Sequence, residues 1–207
     1  MMSSDEYDVL DPEELMFLGL EASERGERAL AMSLYKRSIA LDKSAKAVFL
    51  LAMEYAELMM YDRAIEGVEE AIRLAPEFSG PHYTLSLLLY NQGRYEEARA
   101  ALRPLVELAS HSDYYYHYGV ALEAVLDHDL AKARKHLEEG IAINDQNPAV
   151  AKTMMGMLEQ LNVYLAETDA AKAAIANAPP KEDLDAKIRK QIDLAKYREF
   201  MGGEKAD

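Results

Sequence analysis

A short motif returns about every 34 residues along this chain. It is clearest as Tyr61-Asp62-Arg63-Ala64-Ile65 and Tyr95-Glu96-Glu97-Ala98-Arg99. It is looser as Glu27-Arg28-Ala29-Leu30-Ala31 and Leu130-Ala131-Lys132-Ala133-Arg134. From Ala31 through Ala64 and Ala98 to Ala133 the steps are 33, 34 and 35 residues. A period of this length marks a chain built of stacked supersecondary units, because a single unit cannot bury its own apolar face. Such stacks present extended binding surfaces.

The unit reads as helix, short turn, helix, stop. Val48, Leu51, Ala52 and Tyr55 share one helical stripe, and Ala64, Val68, Ala71 and Ile72 share a second. Glu57 to Asp62 forms the connector, and Pro76 closes the unit because it cannot donate the hydrogen bond a continuing helix requires. The unit repeats over about 12–44, 45–78, 79–111, 112–147 and 148–180. The fourth copy takes about two extra residues near Asp127–Asp129, and the fifth is degenerate. Before the array lies an acidic segment, residues 1–11. After it, residues 181–201 read as one polar-backed helix suited to cap the last apolar face, followed by a tail at 202–207. Pro104 falls inside a predicted helix and should kink it or end it early.

Small residues recur where two helices must approach closely. Gly19, Ala52, Ser86, Gly119 and Gly156 take one position in the first helices, and Ala31, Ala64, Ala98 and Ala133 one in the second. With these positions the pattern resembles the tetratricopeptide repeat over about residues 12–180. The family's large aromatic near the start of the unit is here Leu15, Val48, His82 and Tyr115. The resemblance implies an all-α fold: a right-handed α-α superhelix of about five helix pairs with a C-terminal capping helix.

It also implies a concave groove lined by the first helices. The inward positions would be Met16, Phe17 and Leu20, then Phe49, Leu50 and Met53, then Tyr83, Leu87 and Tyr90. The fourth unit would supply Tyr116, His117 and Val120, and the fifth Thr153, Met154 and Met157. This wall is almost wholly apolar or aromatic, which marks a binding surface. Methionine adapts to varied partners and tyrosine adds area with a polar tip. The expected function is a non-enzymatic protein–protein interaction scaffold holding an apolar peptide or amphipathic helix. Phe49→Asp or Tyr83→Asp is then expected to abolish partner capture without loss of helix. Alternatives are a secretion-type chaperone for an apolar partner segment, or a self-assembling structural protein, so homo-oligomerisation stays open. The groove could also hold the chain's own Tyr7, Val9 and Leu10. The lysine–asparagine–arginine clamp of family members that hold acidic chaperone tails is missing, since Met16, Leu20 and Leu50 stand there.

Other function classes find little support. The net charge of −14 opposes nucleic acid, whose phosphates need a basic face. No run of about 18 apolar residues occurs, so no membrane insertion is expected. The acidic first residues lack the basic start and apolar run of a secretory signal, and a cytoplasmic location is expected. There is no cysteine, no glycine-flanked serine and no glycine-rich phosphate loop. Catalysis and cofactors are not expected. The histidine pairs nearest in sequence, His111 with His117 and His128 with His136, do not share a helical face, so no metal site is expected either.

Overall fold

The computed structural model describes residues 10–107, 110, 113–145 and 148–173. Its helices are α1 (Pro12–Glu24), α2 (Arg28–Leu41), α3 (Ala45–Glu57), α4 (Tyr61–Leu74), α5 (Ser79–Asn91), α6 (Tyr95–Glu107), α7 (Tyr114–Leu126), α8 (Leu130–Ile143) and α9 (Pro148–Ala173). No strand occurs among the described residues. The expected capping helix at 181–201 and the segment with Tyr7 and Val9 lie outside them. Two compact units divide in the first turn of α5, after Pro81.

Local chemistry sets the starts of helices. Asp11 Oδ1 accepts from the backbone N–H groups of Glu13 and Glu14 at 2.9 Å, and Glu14 reaches back to the Asp11 N–H. With Pro12 at the first helical position this is a complete capping box. Ser44, Asp113 and Asp129 cap α3, α7 and α8 more simply, each side chain accepting one backbone N–H, from Ala47, Tyr115 and Lys132.

Each first helix of the four pairs ends on a left-handed residue: Gly26, Met59, Gly93 and His128, with φ of 77°, 57°, 77° and 58°. The next N–H then donates back five residues, from Glu27 to Ala22, Met60 to Tyr55, Arg94 to Leu89 and Asp129 to Ala124. These bonds satisfy carbonyls that the helix end leaves open, and they reverse the chain into the second helix. The expected fifth pair departs from this rule. Seven residues after Gly156, where the other units turn, stands Val163, whose β-branched side chain resists positive φ. The chain runs straight through as the 26-residue α9, so the described array is four pairs and one long helix.

The fourth unit also differs from the sequence reading. Its first helix starts at Tyr114, and the extra residues fall before α7 instead of near Asp127–Asp129. Ala121, fully buried, therefore takes the small-residue position assigned to Gly119. Gly119 faces α6, where an added Cβ would lie 3.0 Å from Leu105 Cβ. Pro104 is accommodated inside α6, which ends three residues later at Glu107.

Unit 1, through α4, packs on short contacts. Ala31 and Ala64 are fully buried. A Cβ on Gly19 would overlap the Tyr35 ring, and one on Gly67 would lie 2.7 Å from Ala52 Cβ. Phe49 meets Phe78 edge-on at 5.6 Å. Glu54 and Glu57, whose side chains are 1% and 7% exposed, share the Arg28 guanidinium at 3.5 and 2.8 Å. Ser23 also donates to Glu54. Unit 2, from His82, buries α5 continuously from His82 to Tyr90. Such all-round burial means the helix is covered on more than the face its partner helix occupies.

Candidate functional site

The first-helix wall is built twice, once in each unit. In unit 1, Phe17 is 48% exposed and Met16 half-buried, while Leu20, Phe49, Leu50 and Met53 are buried. In unit 2, Tyr83, Leu87, Tyr90, His117, Val120, Met154 and Met157 are buried and Tyr116 is half-buried. Thr153 is buried as well. Most of the expected groove residues are thus already out of water. An aspartate at Phe49 or Tyr83 would sit unpaired in the interior and break the fold, so those two substitutions cannot report on binding alone.

The register shift in α7 changes which side chain continues the wall. Tyr118, not Tyr116, is equivalent to Tyr83. The two rings lie 4.6 Å apart, and Tyr115 adds a third at 6.0 Å from Tyr83. Tyr118 donates its hydroxyl to the Val150 carbonyl at 2.5 Å, joining α7 to the start of α9. Burial pushes both the Tyr83 and Tyr118 phenols up from the usual tyrosine value, so both remain protonated. The signal for Tyr118 was in the sequence. Gly19 to Ala31, Ala52 to Ala64 and Ser86 to Ala98 are each twelve residues apart, and the same step back from Ala133 reaches Ala121.

A family model described as tetratricopeptide repeat matches residues 55–118. That stretch holds two of the four left-handed turns and the α4 and α6 alanines. Over that stretch the chain matches the tetratricopeptide repeat, and its helix pairs have the tetratricopeptide fold. A curated relative, the small glutamine-rich tetratricopeptide repeat-containing protein 2 of Mycosarcoma maydis, is 28% identical over 106 residues. That match takes in 51% of this chain and 30% of the relative, so the chain spans under a third of that protein's length.

Solved structures share the fold. A thermophilic tetratricopeptide repeat protein of Thermus thermophilus aligns at a TM-score of 0.61 and 21% identity, over 87% of this chain and 98% of that one. Pseudomonas aeruginosa pilF aligns at 0.57 and 20%, over 90% and 88%. MamA of Desulfovibrio magneticus aligns at 0.55 and 16%, over 88% and 97%. Among the described residues no helix is long and apolar enough to cross a membrane.

Two further features of this tetratricopeptide array escaped the sequence reading. In unit 1 the α3–α4 turn exposes Leu58, Met59, Met60 and Tyr61 in succession, where the sequence read only a connector. In unit 2, α7 and α8 bring His117, His136 and Glu139 together. His117 Nδ1 lies 3.3 Å from His136 Nδ1 and 3.3 Å from Glu139 Oε2, and the His136 Nδ1 to Glu139 Oε2 distance is 3.7 Å. Burial holds the His136 pKa below the usual histidine value, against the pull of Glu139. Sequence spacing could not reveal this set, because His117 joins the other two across a helix pair.

Proposed function

We propose that this tetratricopeptide array is a non-enzymatic adaptor that holds an apolar peptide or amphipathic helix of another protein against its first-helix wall. One observation carries the reading: the wall positions are apolar or aromatic beyond the stripe that helix pairing uses, in keeping with the all-round burial of α5. Most of that wall is covered within the chain, and a partner segment with apolar anchors would cover the part left open at Phe17 and Met16. Phe17 is the accessible entry point in unit 1, with Met16 beside it.

The test compares two aspartate variants for binding to a displayed peptide library. Phe17→Asp alters the wall, and Met59→Asp alters the exposed α3–α4 turn. The wild type should select sequences with spaced apolar anchors. Phe17→Asp should lose them with unchanged helical circular dichroism, and Met59→Asp should keep them. Retention by Phe17→Asp with loss in Met59→Asp would move the binding surface to the turn and refute the wall.

A further inference from the structure

We propose that His117, His136 and Glu139 form a binding site for a borderline divalent transition-metal ion of the Zn2+ type. His136 and Glu139 stand three residues apart, one above the other on α8, and His117 faces them from α7. The approach depends on Gly140, because a Cβ there would lie 2.9 Å from His117 Cβ. All three ligands belong to unit 2; His117 is also one of the wall positions, while His136 and Glu139 lie on the second helix, outside it.

The separations match an ion's needs. A tetrahedral centre with bonds of about 2.0–2.1 Å holds its ligand atoms about 3.3–3.4 Å apart. Here the three atoms are 3.3, 3.3 and 3.7 Å apart. Hydrogen bonding alone serves this triangle poorly. The carboxylate only accepts, and each neutral imidazole has a single N–H. A proton on His117 Nδ1 can be given to His136 or to Glu139, not to both. With protons on both Nδ1 atoms, two donors confront each other at 3.3 Å. A cation at the centre lets all three atoms act as electron-pair donors at once.

The donor set selects the ion. Two imidazoles and one carboxylate suit Zn2+ and its neighbours, whereas Ca2+ and Mg2+ take oxygen shells. Lys135 lies 3.8 Å from Glu139 Oε1, the oxygen that the triangle does not use. The Glu139 side chain is 42% exposed, which leaves a path for entry and room for water as a fourth ligand.

The experiment is isothermal titration of the metal-stripped full chain with Zn2+, together with the visible spectrum of added Co2+. The wild type should bind one Zn2+ per chain, and Co2+ should develop the intense bands of a tetrahedral centre. His136→Gln and Glu139→Gln should each weaken Zn2+ binding by about tenfold or more. His128→Asn, which removes an exposed histidine outside the set, should leave it unchanged. Glu139→Gln acts at a half-exposed residue and should keep the helical circular dichroism, so loss of fold cannot mimic loss of the site. Absence of stoichiometric binding by the wild type, undiminished binding by both ligand variants, or equal weakening by His128→Asn would each overturn the site.

Discussion

Gly67→Ala sets two magnitudes against each other in unit 1. On helix propensity alone, alanine for glycine inside α4 should stabilise by about 1 kcal/mol. The new Cβ would, however, lie 2.7 Å from Ala52 Cβ and 3.4 Å from Ala52 Cα. Carbon atoms settle at about 3.5–4.0 Å, so α3 and α4 would have to part by about 1 Å. Ala52 is 1% exposed and has no rotatable end that could swing aside. Parting the helices loosens the contacts of the fully buried Ala64 and Val68 on the same helix. Overpacking of this kind costs about 1–3 kcal/mol and outweighs the propensity gain. A net loss of about 1 kcal/mol is expected for Gly67→Ala.

The reciprocal swap separates the two contributions. Ala52→Gly alone should lose about 1 kcal/mol through propensity. Ala52→Gly with Gly67→Ala places one methyl in the same gap and should recover most of the loss, a coupling of about 1–3 kcal/mol. Urea unfolding followed by far-ultraviolet circular dichroism, with the denaturant slope unchanged, reads each value. If Gly67→Ala is more stable than the wild type, or the swap shows no coupling, α3 and α4 are not held at this approach.

Met59→Gly should stabilise the chain by about 1 kcal/mol, because Met59 bears the left-handed strain that Gly26 and Gly93 avoid. An unchanged urea midpoint would contradict that. Ala121→Leu should lower the midpoint by about 1–3 kcal/mol of stability, since Ala121 is fully buried at the small-residue position of α7. A tolerated leucine would return that position to another residue. Arg28→Ala should cost about 3 kcal/mol by leaving the buried Glu54 and Glu57 without their shared cation, near the lower end for such losses because Arg28 is itself one-third exposed. Lys43, and then Arg73, hydrogen-bond Glu70 and hold its pKa below 4.5. This contribution is present above pH 4.5 and is lost as pH falls through the lowered value. The urea midpoint of Glu70→Gln should therefore fall less steeply than that of the wild type through that range.

Much of the fold was legible because its signals are local. The period, the paired helical stripes and the alanines at 31, 64, 98 and 133 follow from chain geometry over a few turns. Where the reading slipped, the missing signal was subtler. Gly119 drew attention as a glycine, although the twelve-residue step to Ala133 marked Ala121. Gly156 at the small-residue position suggests a fifth pair, although Val163 stands where the chain would have to adopt positive φ.

The candidate site was less legible, for a different reason. Hydrophobicity identified the wall residues as apolar, but burial depends on what covers them, and that is not a property of any one helix. Phe17 and Phe49 look alike in sequence, yet one is half exposed and the other sealed. The sequence alone determined a helical repeat array, since helix periodicity and the repeat length act along the chain. Only the tertiary structure decided that Ala52 meets Gly67, that Glu54 is buried with Arg28, and that His117 stands 3.3 Å from His136. Each depends on how closely two helices approach, and that distance is set by side chains far apart in the chain.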